Sequence, residues 1–156
     1  MTHRHDTPDL SQIYSYQASI LHARAYRNLK QHKNAILKRH GLSMMQWMVL
    51  GLINDAKGGV RISDIAEQLD TTQAFATTTV NILEARDFVT RTADEKDKRA
   101  KFVKIKPDHR RLVNEIELDV RQKLRESLYA GVTRDELAAF MKVLAGFSED
   151  EKGVLK

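Results

Sequence analysis

Two short runs of apolar residues at helical spacing, separated by a pair of threonines, lie near the middle of the chain. The first run predicts a short helix with Ser63 as its cap. The second run predicts a helix over residues 73 to about 86, with Ala76, Val80 and Leu83 on one face. Two helices joined by a tight turn, the second presented outward, are typical of a helix-turn-helix.

The outward face of the second predicted helix carries only small, hydroxyl and amide side chains. Such a face can approach a major groove closely, and threonine and asparagine can hydrogen-bond to base edges there. We therefore expect DNA contacts from this helix and from the residues that lead into it. The candidates are Ser63, Thr72, Gln73, Ala74, Thr77, Thr78 and Asn81.

Two β-prone segments with a fully charged segment between them follow the second helix. The β-prone segments are residues 88–92 and 102–105, and the charged segment is 94–99. This pattern predicts a β-hairpin with a charged tip, and residues 60–62 are expected to add a short third strand. A charged run alone is more typical of a solvated loop, but directly after a helix-turn-helix it indicates a wing. The candidate DNA-contacting residues of this wing are Asp97, Lys98, Arg99 and Lys101.

The wing sequence resembles that of the MarR family of winged helix-turn-helix regulators. The family pattern is roughly D-x-R-D-x-R-x-x-x-V-x-L-T, and the chain reads Asp94-x-Lys96-Asp97-x-Arg99 and then Val103-x-Ile105-Lys106. Asp87 stands where the family usually has glycine after the second helix, and Thr78 stands where it often has arginine. Because aspartate tolerates a left-handed backbone, the turn at Asp87 should be kept.

Further helices are predicted on both sides of this region. One runs from residue 10 to about 40 and ends at Gly41, after which Ser43 caps a helix over residues 44 to about 55 that is apolar nearly all round. After the wing, a helix over residues 107 to about 130 precedes a last helix with Thr133-x-x-Glu136 as its capping box. The apolar stripe of the long first helix needs more partner surface than one small domain offers. It can pack against the chain's own C-terminal helices or form a dimer interface, and the resemblance implies both.

These patterns predict a mostly α fold with a small β-wing. The resemblance implies a winged helix-turn-helix that dimerises through its N- and C-terminal helices. We expect one compact domain in all. Residues 1–40 would form an N-terminal arm and a dimerisation helix, residues 41–106 the DNA-binding region, and residues 107–156 the C-terminal dimerisation helices.

Composition limits the classes of function. A chain of 156 residues with a net charge of +5 suits one domain with a nucleic-acid partner, although proteins that bind none also carry such a charge. The chain has no cysteine, which excludes disulfides and thiol redox sensing. No run is apolar enough to span a membrane, and the N-terminus does not resemble a signal peptide. We expect a cytoplasmic protein with no membrane partner.

Searches for catalytic and metal-binding patterns are mostly negative. The chain has no glycine-rich phosphate loop, nucleophile elbow or His-x-x-x-His pair, so we expect neither an enzyme nor a cofactor. Four histidines, which are His22, His32, His40 and His109, lie in or near helices that the resemblance brings together. A zinc-responsive regulator therefore remains an alternative, as does an architectural DNA-binding protein without an effector.

The resemblance also implies an effector site, where regulators of this family commonly bind small aromatic or phenolic anions between the first, second and fifth helices. The candidate lining is His22, Tyr26, Met44, Trp47 and Met48, with Arg110 or its neighbours His109 and Arg111 as a partner for the anion. Methionine and tryptophan at helical spacing are more often core than pocket. The implied function is a ligand-responsive repressor that binds a pseudo-palindromic operator as a homodimer.

Overall fold

The computed structural model describes residues 14–93 and 101–149 of the chain. Within these ranges the chain forms six α-helices, a three-stranded antiparallel sheet and a 3-10 turn at Pro107–His109. The helices are α1 (Ser15–Lys38), α2 (Met44–Asp55), α3 (Ile62–Gln68), α4 (Gln73–Ala85), α5 (Arg110–Ser127) and α6 (Arg134–Glu149). The strands are β1 (Val60–Arg61), β2 (Val89–Ala93) and β3 (Lys101–Ile105). The mostly α fold with a small β-wing is confirmed.

Several helix ends are set by the local signals that the sequence carries. The backbone of Gly41 is left-handed, with φ of 64°, and it ends the turn after α1. Ser43 Oγ accepts from the Gln46 backbone N–H, and Gln46 Oε1 accepts from the Ser43 backbone N–H, so α2 begins with a capping box. Thr133 and Glu136 form the same arrangement before α6.

The predicted cap of α3 is wrong. This helix begins at Ile62, and Arg61, the last residue of β1, occupies the N-cap position without a side-chain hydrogen bond. Ser63 is already inside the first turn, where its hydroxyl donates to Asp64 Oδ1 at 3.2 Å. The chain passes directly from the strand into the helix, because Val60 and Arg61 pair with β3, and no residue is left for a separate cap.

The sheet has the strand order β1-β3-β2, and alternate residues of its strands face the helices. Val60 pairs with Val103, and Val89 pairs with Ile105. All four side chains are buried, as the two-residue period of a half-buried sheet requires. The sheet therefore covers the inner side of the helix-turn-helix.

The core lies under α2, α3, α4 and the sheet, with support from the end of α1 and from α5. Its fully buried side chains include Leu37, Val49, Leu50, Ile53, Ile65, Val80, Leu83, Val89, Val103 and Val113. The sequence of α2, apolar nearly all round, predicts a buried helix, but only Val49, Leu50 and Ile53 are buried. Met44, Trp47 and Met48 are only half-buried, because they border a cavity described below.

The terminal helices leave large apolar side chains exposed in the single chain. On α1 and the residue before it, these are Tyr14, Tyr16, Ile20, Leu21 and Tyr26. On α6, they are Phe140, Met141, Val143, Leu144 and Phe147. The His22 and Phe147 rings lie 6.3 Å apart in an edge-on contact, so the two helices share one apolar surface. No helix within the described ranges is long and apolar enough to cross a membrane.

Candidate nucleic-acid interface

The turn between α3 and α4 presents the second helix outward. Asp70 adopts a left-handed conformation, with φ of 46°, and the Thr71 N–H returns to the Ala66 carbonyl oxygen at 2.9 Å. Thr72 then caps α4, because its hydroxyl oxygen accepts from the Phe75 backbone N–H at 3.2 Å. In the predicted helix-turn-helix, the backbone conformation at Asp70 therefore ends α3, and the side chain of Thr72 caps the start of α4.

The outer face of α4 matches the predicted pattern in part. Ala76, Thr79, Val80 and Leu83 are buried on the inner side. The exposed polar and small residues are Gln73, Ala74, Thr78 and Asn81, and Thr77 is half-buried. The Thr77 hydroxyl donates to the Gln73 carbonyl at 2.8 Å, and the Thr78 hydroxyl donates to the Ala74 carbonyl at 3.0 Å. Both hydroxyl protons are therefore used inside the helix, which leaves methyl groups and oxygen lone pairs for a ligand.

Two large apolar residues on the surface of α4 were missed by the sequence reasoning. Phe75 is 46% exposed and Ile82 is 41% exposed. They lie seven residues apart, close to two helical turns, so they share one side of the helix. This spacing was available in the sequence, but only the structure shows that neither side chain is covered by the rest of the chain.

A wing residue that the sequence reasoning also missed contacts α4 directly. Arg91 lies in the middle of β2, and its Nη1 donates to the Glu84 carboxylate. Its Nη2 donates to Oδ1 of Asn81, one of the candidate DNA-contacting residues. The partners belong to different elements, so no local pattern in the sequence signals this contact.

The base of the wing is held by an ion pair across the hairpin. Asp87 adopts a left-handed conformation with φ of 64°, as predicted for the position where the MarR family usually has glycine. The Lys106 ammonium donates to the Asp87 carboxylate, and the hydrogen bond followed by the positive charge of Lys106 lowers the pKa of Asp87. The Lys106 backbone N–H also donates to the Phe88 carbonyl at 3.0 Å.

The tip of the wing lies outside the described residues. Asp97, Lys98 and Arg99 belong to this segment, so their predicted roles stay predictions. Lys101 is the first residue of β3 and pairs with Ala93 at the end of β2.

A cavity of about 210 Å³ lies between α1, α2 and α5. Its lining residues are Lys33, Leu37, Met44, Trp47, Met48, Glu117, Val120, Arg121 and Leu124. Three residues of the predicted effector site, Met44, Trp47 and Met48, are therefore brought together. The charged groups beside them are Lys33, Glu117 and Arg121, which the prediction did not name.

The other three predicted effector residues are not among those that line this cavity. His22 lies fifteen residues before Leu37 on the same helix, which is about 22 Å along the axis. Tyr26 is 60% exposed on α1. Arg110 is an exposed residue at the start of α5, about 10 Å along that axis from Glu117. In the single chain these three residues do not line one cavity with Trp47, so their place in an effector site stays a prediction.

The histidines considered as metal ligands do not converge. His32 Nδ1 lies 2.9 Å from the Asn28 carbonyl oxygen, and His40 Nε2 lies 2.7 Å from Asp119 Oδ2. His109 packs edge-on against Phe88, with ring centroids 5.7 Å apart. Among the residues that the structure describes, no group of three or more His, Asp or Glu side chains is arranged to hold a metal ion.

A helix-turn-helix followed by a β-hairpin and braced by a short strand defines a winged helix-turn-helix protein. The MarR family model matches residues 40–100, from the turn before α2 to the residue before β3. The resemblance to the MarR family that the wing motif carries is thereby confirmed over the matched residues. The family and the similar proteins described next are transcriptional regulators rather than enzymes.

Known regulators resemble the chain in sequence and in structure. The HTH-type transcriptional regulator MhqR of Bacillus subtilis (strain 168) is 28% identical over 114 residues, which are 73% of this chain and 78% of MhqR. CouR from Rhodococcus jostii RHA1, solved bound to p-coumaroyl-CoA, superposes with a TM-score of 0.77 at 22% identity and covers 94% of this chain and 100% of its own. S. aureus MepR, solved as a DNA complex, superposes with a TM-score of 0.71 at 20% identity. The match covers 87% of this chain and 98% of the MepR chain. At these identities the two structural matches show the shared fold.

Proposed function

We propose that this chain is a sequence-specific DNA-binding repressor that acts as a homodimer and responds to a small ligand. The observation that carries the proposal is the outer face of α4, where the exposed Gln73, Ala74, Thr78 and Asn81 lie beside two exposed apolar side chains and next to the wing. The net charge of +5 favours a polyanionic partner. The likeness to MepR, which was solved with DNA, supports the same use of the fold.

In this proposal α4 enters the major groove, and its exposed residues contact the base edges. Asn81 supplies a hydrogen-bonding amide, and Thr77 and Thr78 supply acceptor oxygens and methyl groups. Phe75 and Ile82 can make apolar contact with thymine methyl groups. Thr72, Gln73 and Ala74 lie at the start of α4 and Ser63 lies in the first turn of α3, and these four residues would face the DNA backbone.

The wing would reach the adjacent minor groove with Asp97, Lys98, Arg99 and Lys101. An arginine at the tip of a wing can enter a narrow A·T-rich minor groove, where the negative potential is enhanced. The minor groove distinguishes base pairs poorly, so the wing would add affinity and an A·T preference. Finer discrimination would come from α4.

A homodimer explains why α1 and α6 expose a joint apolar surface. Leu21 on α1 is 68% exposed and Phe147 on α6 is 65% exposed, and a large exposed apolar patch on a soluble protein often marks an interface. A two-fold dimer joined through residues 1–40 and 107–156 would present two copies of the 41–106 region. These copies would contact half-sites roughly 34–36 Å apart, so the operator would be pseudo-palindromic.

The cavity between α1, α2 and α5 is the proposed effector site. Its volume of about 210 Å³ suits a single substituted ring, since a cavity of about 150 Å³ accommodates benzene. Lys33 and Arg121 lie at this cavity and suit a carboxylate or phenolate group on an aromatic ligand. CouR was solved bound to p-coumaroyl-CoA, which supports ligand binding by a protein of this fold. A ligand here would change the DNA affinity by altering how α1 and α5 hold the two DNA-binding regions.

The test is selection of DNA from a random duplex pool, followed by affinity measurements on the selected and on unrelated duplexes. We expect a two-fold symmetric motif, and an affinity that falls about 10³- to 10⁵-fold between 50 and 200 mM salt if about six to ten phosphates are neutralised. Asn81→Ala should reduce the difference in affinity between the selected and the unrelated duplexes. Arg99→Ala should instead lower the affinity for both kinds of duplex alike. The exposed Lys57, in the turn before β1, provides a control as Lys57→Ala. Selection of no motif, with a nearly flat salt dependence, would contradict the proposal.

A further inference from the structure

We propose that Arg91, in strand β2 of the wing, determines which bases Asn81 of α4 can read. The inference rests on the proposed function, because it concerns the contact between α4 and the major groove. Arg91 would not touch DNA itself in this role. It would act by fixing the side-chain amide of Asn81 in one orientation.

The geometry of the contact gives Arg91 two partners on the same helix. Asn81 and Glu84 are three residues apart on α4, and Arg91 donates to the first through Nη2 and to the second through Nη1. The Arg91 side chain is only 21% exposed and that of Glu84 is 36% exposed. A guanidinium is planar and rigid, so the ion pair with Glu84 fixes the direction in which Nη2 points.

The chemistry of the two side chains then fixes the orientation of the amide. A guanidinium has only donors, so the amide atom that faces Arg91 must be the acceptor oxygen Oδ1. The amide nitrogen of Asn81 therefore lies on the other side of its plane. Among the residues that the structure describes, this nitrogen has no hydrogen-bond partner, and Asn81 is exposed.

An amide held in this way presents a donor to the major groove. A free asparagine can pair with adenine through both its oxygen and its nitrogen. With Oδ1 engaged by Arg91, Asn81 instead matches the acceptor groups of guanine, the N7 atom of adenine and the O4 atom of thymine. The major-groove edge of cytosine offers a donor, so cytosine should be disfavoured at the contacted position.

The experiment compares Arg91→Met and Arg91→Lys with the parent in the whole chain of 156 residues. The base position that Asn81 contacts is identified first. It is the position at which the parent prefers certain bases and the Asn81→Ala variant does not. At that position we expect the parent to bind a duplex with cytosine about fivefold more weakly than one with the preferred base. This is the size expected for one hydrogen bond, at the low end of base discrimination. Both Arg91 variants should reduce this penalty to within about twofold and raise the relative affinity for adenine, while preferences at other positions stay unchanged.

Two controls separate orientation of the amide from loss of charge. Lys104→Met removes one positive charge from the exposed side of β3, next to β2, and should weaken all duplexes alike. Arg91→Lys keeps the charge but lacks the rigid fork that bridges Glu84 and Asn81. In the Asn81→Ala background, Arg91→Met should no longer change the relative affinities for duplexes that differ at this position. The reason is that the amide that Arg91 orients is then absent.

The outcomes distinguish this inference from the proposed function. If the parent selects a motif but both Arg91 variants keep the cytosine penalty, the inference is wrong and the DNA-binding function stands. If the parent selects no motif, the proposed function itself fails. Circular dichroism checks that each variant is folded, and Arg91→Lys alone decides the question if Arg91→Met unfolds.

Discussion

Arg86 Nη1 donates a hydrogen bond of 2.6 Å to the carbonyl oxygen of Gly41, which fastens the end of α4 to the turn between α1 and α2. Its Nη2 donates to the His40 carbonyl at 3.3 Å, and its guanidinium carbon lies 5.2 Å from the centroid of the Phe88 ring. The His40 ring in turn contacts Asp119 on α5. Helix α4 is therefore linked to the turn between α1 and α2 and, through His40, to α5, and α1, α2 and α5 border the 210 Å³ cavity.

Removal of this link should destabilise the fold. Arg86→Ala loses two charged hydrogen bonds to carbonyl oxygens, so we expect the free energy of unfolding to fall by about 1.5 kcal/mol, near the low end for such bonds because Arg86 is exposed. Urea denaturation followed by circular dichroism measures the change. Arg39→Ala, at an exposed arginine just after α1, is the matched control and should change the stability little. An equal loss in both variants would contradict the role of Arg86.

Two glycine substitutions should have opposite effects. Gly41→Ala places a side chain on a left-handed residue and 3.1 Å from Arg86 Nη2, so the free energy of unfolding should fall by about 1–2 kcal/mol. Gly51→Ala lies inside α2 with no atom within 4 Å of the added Cβ, and should stabilise by about 0.5–1 kcal/mol. Both values come from the same urea titrations. A change of the same sign in both would show that the local backbone is not the deciding factor.

The ion pair at the base of the wing should be visible in the titration of Asp87. The hydrogen bond and charge of Lys106 lower the pKa of this carboxyl, so their stabilisation is present above its ordinary pKa and is lost as the pH falls through the lowered value. Lys106→Met should raise the pKa of Asp87, measured by NMR of the side-chain carboxyl carbon. Glu126 serves as the internal control, since its lowered pKa comes from Gln122 and Lys123. An unchanged Asp87 titration would contradict the pairing.

The protein should be a dimer whose interface includes α1 and α6. Light scattering at micromolar concentration should give twice the chain mass of 17.9 kDa. Leu21→Glu combined with Phe147→Glu introduces charges on side chains already exposed in the single chain, so it should lower the mass without unfolding the monomer. Lys57→Glu, away from this surface, is the control. A folded monomer that binds DNA with full affinity would refute the dimer.

A small aromatic carboxylate or phenol should change the fluorescence of Trp47 and weaken DNA binding. Arg121→Met removes a cation at the cavity and should weaken ligand affinity about tenfold, the value of one charged hydrogen bond. Arg111→Met is a close control, because Arg111 pairs with Glu115 at 2.8 Å just as Arg121 pairs with Glu117, but it does not line the cavity. Zn²⁺ is titrated in parallel. A response of DNA affinity to Zn²⁺ alone, reversed by a chelator, would favour the metal-responsive alternative.

The sequence by itself determined the features that depend on residues within about one helical turn of each other. The left-handed Gly41, the capping boxes at Ser43 and Thr133, and the polar outer face of α4 all follow from local periodicity and hydrogen bonding. The wing motif was also readable from the sequence, because its residues lie in one short stretch, and it carried the resemblance to the MarR family. Ser63 failed as a cap because the pairing of β1 with β3, a distant contact, decided where α3 begins.

Only the tertiary structure decided how distant elements meet. Arg91 and Asn81 are separated by 10 positions, Arg86 and Gly41 by 45, and His40 and Asp119 by 79. Each contact depends on the angle at which two elements pack, and no repeat in the sequence encodes that angle. The same reason explains which residues line the cavity. Trp47 and Arg121 lie beside it, whereas His22 lies on a distant turn of α1.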